Sequence, residues 1–285
     1  QFGTPIAPVT VTTDVTGNRT TVDGITFVGA TVPDQNGAGI RQEGSGLIVR
    51  RSTFRNNENG ILAGENRASD ILIENSIFTG SGFGDGQSHN IYIGTVRSFT
   101  MRFSVSMNAK VGHEVKSRAL RNDIRYNTLN DGSAAASYSI DLPNGGVSRV
   151  VGNLIIQGPN SENTGVVAYG LEGLTNPDRR LWLAHNTIVN RIPGRGTVVN
   201  AADGAAVTFL NNALAGDGTW TSGAATQRGN ARVGVNSYRP PGTRLVNRAV
   251  AVPTALAPRF EPAGTARRTR PVVGRRDVGA LERRR

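Results

Sequence analysis

From residue 47 to residue 214 the chain repeats one short pattern of apolar and polar positions, φ-x-φ-x-x-N-x-φ, where φ is apolar. Leu47 to Phe54, Ile71 to Phe78, Leu181 to Ile188 and Val207 to Leu214 follow it closely; Phe99 to Ser106, Asn122 to Leu129 and Ser148 to Ile155 follow it loosely. The polar position recurs as Ser52, Asn75, Ser104, Asn127, Asn153, Asn186 and Asn212, at intervals of 23, 29, 23, 26, 33 and 26 residues. A unit this short cannot close its own core. It buries its apolar face only against the copies above and below, so the pattern predicts a stacked solenoid with insertions in its loops. Within each half-unit the apolar residues alternate, as in strands that turn every second side chain inward. No stretch keeps a helical period and Gly is abundant (36 residues), so few helices are expected.

In a parallel stack the same position returns about 4.8 Å away on the next coil. Asn there can hydrogen-bond up and down as a ladder, and it tolerates a tight bend. The repeat resembles the right-handed parallel β-helix family over roughly residues 20–220. That resemblance implies an all-β solenoid, and it leaves function open, because lyases, hydrolases, epimerases, tailspikes and adhesins share the architecture. Residues 1–20 read as an N-terminal cap over the open strand edge, 21–225 as the β-helix, and 226–285 as an Arg-rich extension that packs on it or trails from it. The Pro-rich stretch (Pro240, Pro241, Pro253, Pro258, Pro262) is expected along the outside of the solenoid, and Asp277-Val-Gly-Ala-Leu-Glu282 reads as a structural ending.

Charge is unevenly spread. The net charge of +11 falls wholly on residues 226–285, with 14 Arg and three acids, while the solenoid is neutral with 18 bases and 18 acids. The basic run is Arg267, Arg268, Arg270, Arg275, Arg276 and Arg283 to Arg285. It reads either as a solvated tail or as a contact for a polyanion; no nucleic-acid motif accompanies it. The absence of Cys excludes a disulfide scaffold and thiolate metal sites. No apolar run reaches the length of a membrane span. The chain opens on Gln1 without a signal-peptide pattern, which reads as a processed or trimmed form, and a secreted or periplasmic location is expected from fold class alone.

Aligning the second strand of each unit by its apolar positions gives a candidate site. Ile61, Ile91, Val115, Ile140 and Val166 are placed inward. One outward column is then Asn90, Glu114, Ser139, and its neighbour is Tyr92, Lys116, Asp141, flanked by Leu62 and Val167. His89, His113, Arg118, Arg121, Tyr138 and Asn144 surround these, with Tyr169 and Glu172 as further sugar contacts. The insertion Gly80 to Ser88 and the loop Gln157 to Asn163 are expected as walls, and His185 as structural. An alternative is that the columns are ordinary exterior polarity.

Two chemistries fit this patch. In β-elimination at a uronate, a base removes the proton α to a carboxylate whose charge is neutralised. Lys116 is that base if Arg118 and Arg121 lower its pKa. Glu114-Val-Lys116-Ser117, followed by Asn122 and Asn127-Thr-Leu129, resembles the Lys-Ser coil of the chondroitinase B and alginate lyase group (polysaccharide lyase family six). The resemblance implies that Lys116 is the Brønsted base. Asn90 and Glu114 are oxygen donors suited to calcium, the one cofactor considered. On the next coil that family carries Leu-Arg-His-Gly, whereas this chain has Ile140-Asp-Leu-Pro143, so Tyr138, His113 or Tyr92 must supply the acid. In the other chemistry, glycoside hydrolysis, Glu114 and Asp141 act as a carboxylate pair with Cα atoms roughly 8 Å apart, compatible with the roughly 6.5–9.5 Å of an inverting pair. A C5-epimerase needs nearly the same groups as a lyase. The competing class is a non-catalytic glycan binder of tailspike type.

Overall fold

The computed structural model describes residues 12–240 and 244–284. It is a parallel β-solenoid of three sheets, each of nine strands, with each coil contributing one strand to each sheet in turn. The first sheet runs from Thr13–Val15 to Thr219–Thr221, the second from Thr21–Asp23 to Ala225–Arg228, and the third from Thr26–Val28 to Ala231–Val233. Thr13–Val15 pairs with Ala38–Gln42, so the first sheet already begins inside the stretch read as a cap; residues 1–11 lie outside the described residues. The strands Ala225–Arg228 and Ala231–Val233 carry the solenoid beyond residue 225. Among the described residues the one helical element is the 3-10 turn Thr254–Leu256, and no helix is long and apolar enough to cross a membrane.

The core is a column of inward side chains. Phe27, Phe54 and Phe78 stack with ring centroids 4.9 and 4.5 Å apart, and Ile61, Ile91, Val115 and Ile140 follow one another on the first sheet. Each side chain rests on its counterpart one coil away, which is why a short repeat suffices.

Between the second and third sheets each coil turns on a single left-handed residue: Gly24, Arg51, Asn75, Phe103, Tyr126, Gly152, His185, Asn211 and Gly229. The next residue bears the ladder. The backbone N–H of Asn127 donates to Asn153 Oδ1 at 2.9 Å, Asn153 to Asn186 at 3.0 Å, Asn186 to Asn212 at 3.0 Å and Asn212 to Asn230 at 2.9 Å. Each of these Asn side chains also donates to a carbonyl on the second-sheet strand of the coil before, Asn127 to Met101, Asn153 to Ile124, Asn186 to Val150 and Asn212 to Leu183. In the N-terminal half serine holds the position, and the rung is Ser76 rather than Asn75: Ser52 N–H donates to Ser76 Oγ and Ser76 N–H to Ser104 Oγ. Asn75 takes the left-handed corner one residue earlier, because its short polar side chain tolerates positive φ.

The C-terminal segment runs back along this corner. Val250 meets Asn211, Arg259 N–H donates to Tyr126 Oη, and Thr265 O accepts from Asn75. Arg270 is buried against Glu282 (2.8 Å) and donates to the carbonyls of Gly279 and Asp277, which fastens Asp277–Glu282 to the third sheet through Ala280 N–H and Thr187. His185 sits beneath it, buried, with Nε2 3.0 Å from Asn211 Nδ2, in a structural position.

Candidate active site

The first sheet brings Tyr92, Lys116 and Asp141 into one outward column, since Tyr92 pairs with Lys116 and Lys116 with Asp141. Leu62 continues the column on one side. On the other side the neighbour of Asp141 is Ala168, not Val167; Val167 pairs with Ile140 and points into the core. The same register carries Tyr169 inward, where it is fully buried and donates to Gly146 O at 2.7 Å. Tyr169 is therefore a core residue rather than a sugar contact.

Asn90, Glu114 and Ser139 share the outward parity of that column yet are fully buried. They stand at strand entries, where the loops leading in from the third sheet fold over them. Glu114 accepts from Ala109 N–H (3.0 Å), Ser106 Oγ (2.7 Å) and Asn90 Nδ2 (2.6 Å). Ser139 donates to buried Asp131. Burial raises the Glu114 pKa to about 8, helped by the nearby Asp131 charge and opposed by these hydrogen bonds. The Glu114/Asp141 hydrolase pair is thus not formed, because both Glu114 oxygens are taken by donors at the corner while Asp141, itself buried, is bonded to Lys116. Calcium does not fit there either. Asn90 Oδ1 is taken by Ser81 N–H, its amide nitrogen points at Glu114, and both Glu114 oxygens are occupied by donors. Among the described residues no group of three or more His, Cys, Asp or Glu side chains gathers as a metal site.

What remains is a connected cluster. Lys116 Nζ lies 3.0 Å from Asp141 Oδ2 and 2.7 Å from Glu172 Oε1. Arg118 donates to Glu172 Oε2 (2.6 Å), Asn144 Oδ1 (2.7 Å) and Tyr92 Oη (2.9 Å). Lys116 and Arg118 thus hold one oxygen each of a single carboxylate. Burial works to lower the Lys116 pKa, but Asp141 and Glu172 outweigh it and the pKa is raised, the reverse of what a lysine base needs. Arg121 does not contribute. It opens a strand of the second sheet, exposed and around the corner from the cluster.

His89 and His113 meet behind Lys116. Their Nδ1 atoms are 3.0 Å apart, and His113 N–H donates to His89 Nδ1 at 3.1 Å. A nitrogen that accepts a backbone N–H carries no proton, so His113 Nδ1 is the donor of the ring pair and His113 Nε2 is bare. That nitrogen lies 3.5 Å from Asp141 Oδ2. Burial holds the His89 pKa at about 3 and that of His113 well below the usual range, with Lys116 adding to both. Burial also raises the Asp141 pKa, against the pull of Lys116. His89 stacks on Tyr92 and His113 on Tyr138.

The open side is a groove of about 540 Å³ lined by His89, Tyr92, Lys116, Arg118 and Glu172, with Gly86 and Gln87 from the insertion as one wall. The other wall is the loop carrying Glu172, held by Glu172 N–H on Pro143 O and Asn176 N–H on Asn144 O. The loop from Gln157 to Asn163 is not a wall; it packs over the preceding loop through Ser161 on Asp131 and Asn163 on Ser137. Glu172 is the site residue that repeat alignment undervalued. It lies outside the strands, and its one sequence signal is an acid between Gly170 and Gly173 just after the last polar coil.

Comparison of the chain with protein-family models, with curated proteins and with solved structures returns no match.

Proposed function

We propose that the groove binds and cleaves a uronate-containing polysaccharide by β-elimination. The observation that carries this reading is the carboxylate clamp: Lys116 at 2.7 Å and Arg118 at 2.6 Å on the two oxygens of Glu172. Two cations fixed on one carboxylate match a uronate group, whose charge must be neutralised before the α proton becomes acidic. In this reading the substrate carboxylate takes the place of Glu172. Lys116, kept protonated by its partners, is an electrostatic stabiliser rather than the base. His113 Nε2 accepts the α proton, the C–H electron pair becomes the C=C bond, and the bond to the leaving oxygen breaks. Tyr92 returns a proton to that oxygen; Arg118 donates to the Tyr92 oxygen and leaves its O–H free to do so.

A second reading has its own support. Asp141 and Glu172 share Lys116 Nζ at 3.0 and 2.7 Å. Their oxygens are then less than about 6 Å apart, near the roughly 5–5.5 Å of a retaining glycosidase pair. Their pKa values are pushed in opposite directions, Asp141 up by burial and Glu172 down by its bonds to Lys116 and Arg118, which prevail over desolvation. Such a split suits an acid and a nucleophile. Incubation with a panel of uronate and neutral glycans separates the readings. Ultraviolet absorbance of an unsaturated uronate supports elimination, and new reducing ends without it support hydrolysis. Binding without cleavage, retained in Lys116→Ala, overturns both and leaves a glycan-binding protein.

A further inference from the structure

The basic run near the C-terminus is largely spent on structure. Arg267 lies 4.5 Å over the Phe260 ring, and Arg268 and Arg284 both pair with Glu261. Arg270 is buried on Glu282, while Arg275, Arg276 and Arg283 donate to the carbonyls of Ala249, Pro258 and Val273. Arg285 lies outside the described residues. These side chains act as fasteners of the tail, so they are poor candidates for a polyanion contact.

Uncommitted cations sit elsewhere. Two adjoining grooves at the C-terminal end of the solenoid, of about 760 and 410 Å³, share Arg232 and Arg244; the first adds Arg191 and the second Arg248. Arg232 is held by the carbonyls of Gly216 and Gly218. Arg191, Arg244 and Arg248 are exposed, and among the described residues their side chains have no hydrogen bond or ion pair. Among the described residues the one carboxylate lining these grooves is Asp217, which accepts from Gly194 N–H. Ile192, Val233 and Val235 give the larger groove an apolar floor; Tyr238 packs on the cluster that includes these valines, but among the described residues no aromatic side chain lines either groove.

We propose that this double groove is a second binding site, separate from the Lys116 cluster, for an acidic polysaccharide. Its carboxylate or sulfate groups pair with Arg191, Arg244 and Arg248, since a guanidinium fork matches planar oxyanions. Its sugar rings lie on the apolar floor. A single-stranded nucleic acid would have phosphates to offer, but it would find no aromatic platform for its bases. The proposal does not depend on cleavage at the first site.

The test is binding of the full chain to polygalacturonate and to chondroitin sulfate across a salt series, with neutral dextran and single-stranded DNA alongside. A Lys116→Ala background removes the first clamp. Replacing Arg191, Arg244 and Arg248 together by Ala is expected to weaken binding about tenfold or more and to reduce the salt slope by about two to three. Arg268→Ala, in the tail run, is expected to leave both unchanged. The triple Lys replacement keeps the charges but not the fork, and is expected to preserve the salt slope while weakening affinity. The proposal is overturned if the triple Ala or triple Lys variant binds as tightly as the parent, or if Arg268→Ala weakens binding as much. It is also overturned if DNA binds as tightly as the polysaccharides with the same dependence on the three arginines.

Discussion

His113 donates twice toward one nitrogen of His89: its backbone N–H lies 3.1 Å from His89 Nδ1 and its own Nδ1 lies 3.0 Å from the same atom. This arrangement fixes both tautomers and leaves His113 Nε2 bare beside Asp141. In the proposed elimination this nitrogen is the base, kept uncharged by burial, while Asp141 and Glu172 hold Lys116 protonated.

His89→Ala removes the acceptor that sets this tautomer and opens the site to water. With burial relieved, the His113 pKa moves up toward its ordinary value. Since the base works when neutral, the acid limb of the pH–rate profile is expected to shift to higher pH, and kcat to fall about tenfold or more. Steady-state kinetics across pH check this. An unchanged acid limb with intact folding would remove His113 from the mechanism.

Glu172→Gln separates the two cleavage chemistries. If Glu172 stands where a substrate carboxylate binds, the variant has less to displace, and KM is expected to drop several-fold with kcat retained. If Glu172 is a glycosidase carboxylate, kcat is expected to fall by about 10²–10⁴. Product analysis and kinetics on one variant decide between them.

Glu114 makes stability fall with rising pH. Burial raises its folded pKa to about 8, well above that of an exposed glutamate, so the folded state holds the proton more tightly. Stability is full below the unfolded value and is lost as pH rises toward 8. The buried histidines act in the opposite sense, but only below about 6.5. From pH 6.5 to 8 the loss is expected on the order of 1–2 kcal/mol. Urea midpoints over that range should decline for the parent and stay flat for Glu114→Gln.

The ladder is a stability element. Asn153 accepts Asn127 N–H at 2.9 Å and donates to Ile124 O at 2.8 Å, all buried. Asn153→Ala leaves these groups unpaired and is expected to cost about 3 kcal/mol. Asn153→Ser is expected to cost less, because Ser52, Ser76 and Ser104 hold the equivalent position in the N-terminal coils. Chemical denaturation of both variants is the measurement.

Much of this was legible in the chain. The solenoid and the column Tyr92–Lys116–Asp141 follow from one rule: a coil that repeats must stack like on like, so sequence spacing becomes spatial register; the division of each coil among three sheets came only with the structure. The ladder residues Ser52, Ser104, Asn127, Asn153, Asn186 and Asn212 could be named for the same reason, whereas the repeat pattern puts Asn75 on the rung that Ser76 holds and stops short of Asn230. Where the chain leaves the repeat, spacing has no such meaning. Alternation placed Asn90, Glu114 and Ser139 outward, and their strands do turn them that way, but loop closure over the corner buried them. A shift of one residue after the long loop to Gly165 sent Val167 and Tyr169 inward, since strand parity flips with every single step. Glu172, the partner that reverses the expected pKa of Lys116, arrives on a loop that no periodicity describes. Local pattern thus determined which residues share a coil face, while the path of the loops between coils decided which of them meet solvent, charge and one another.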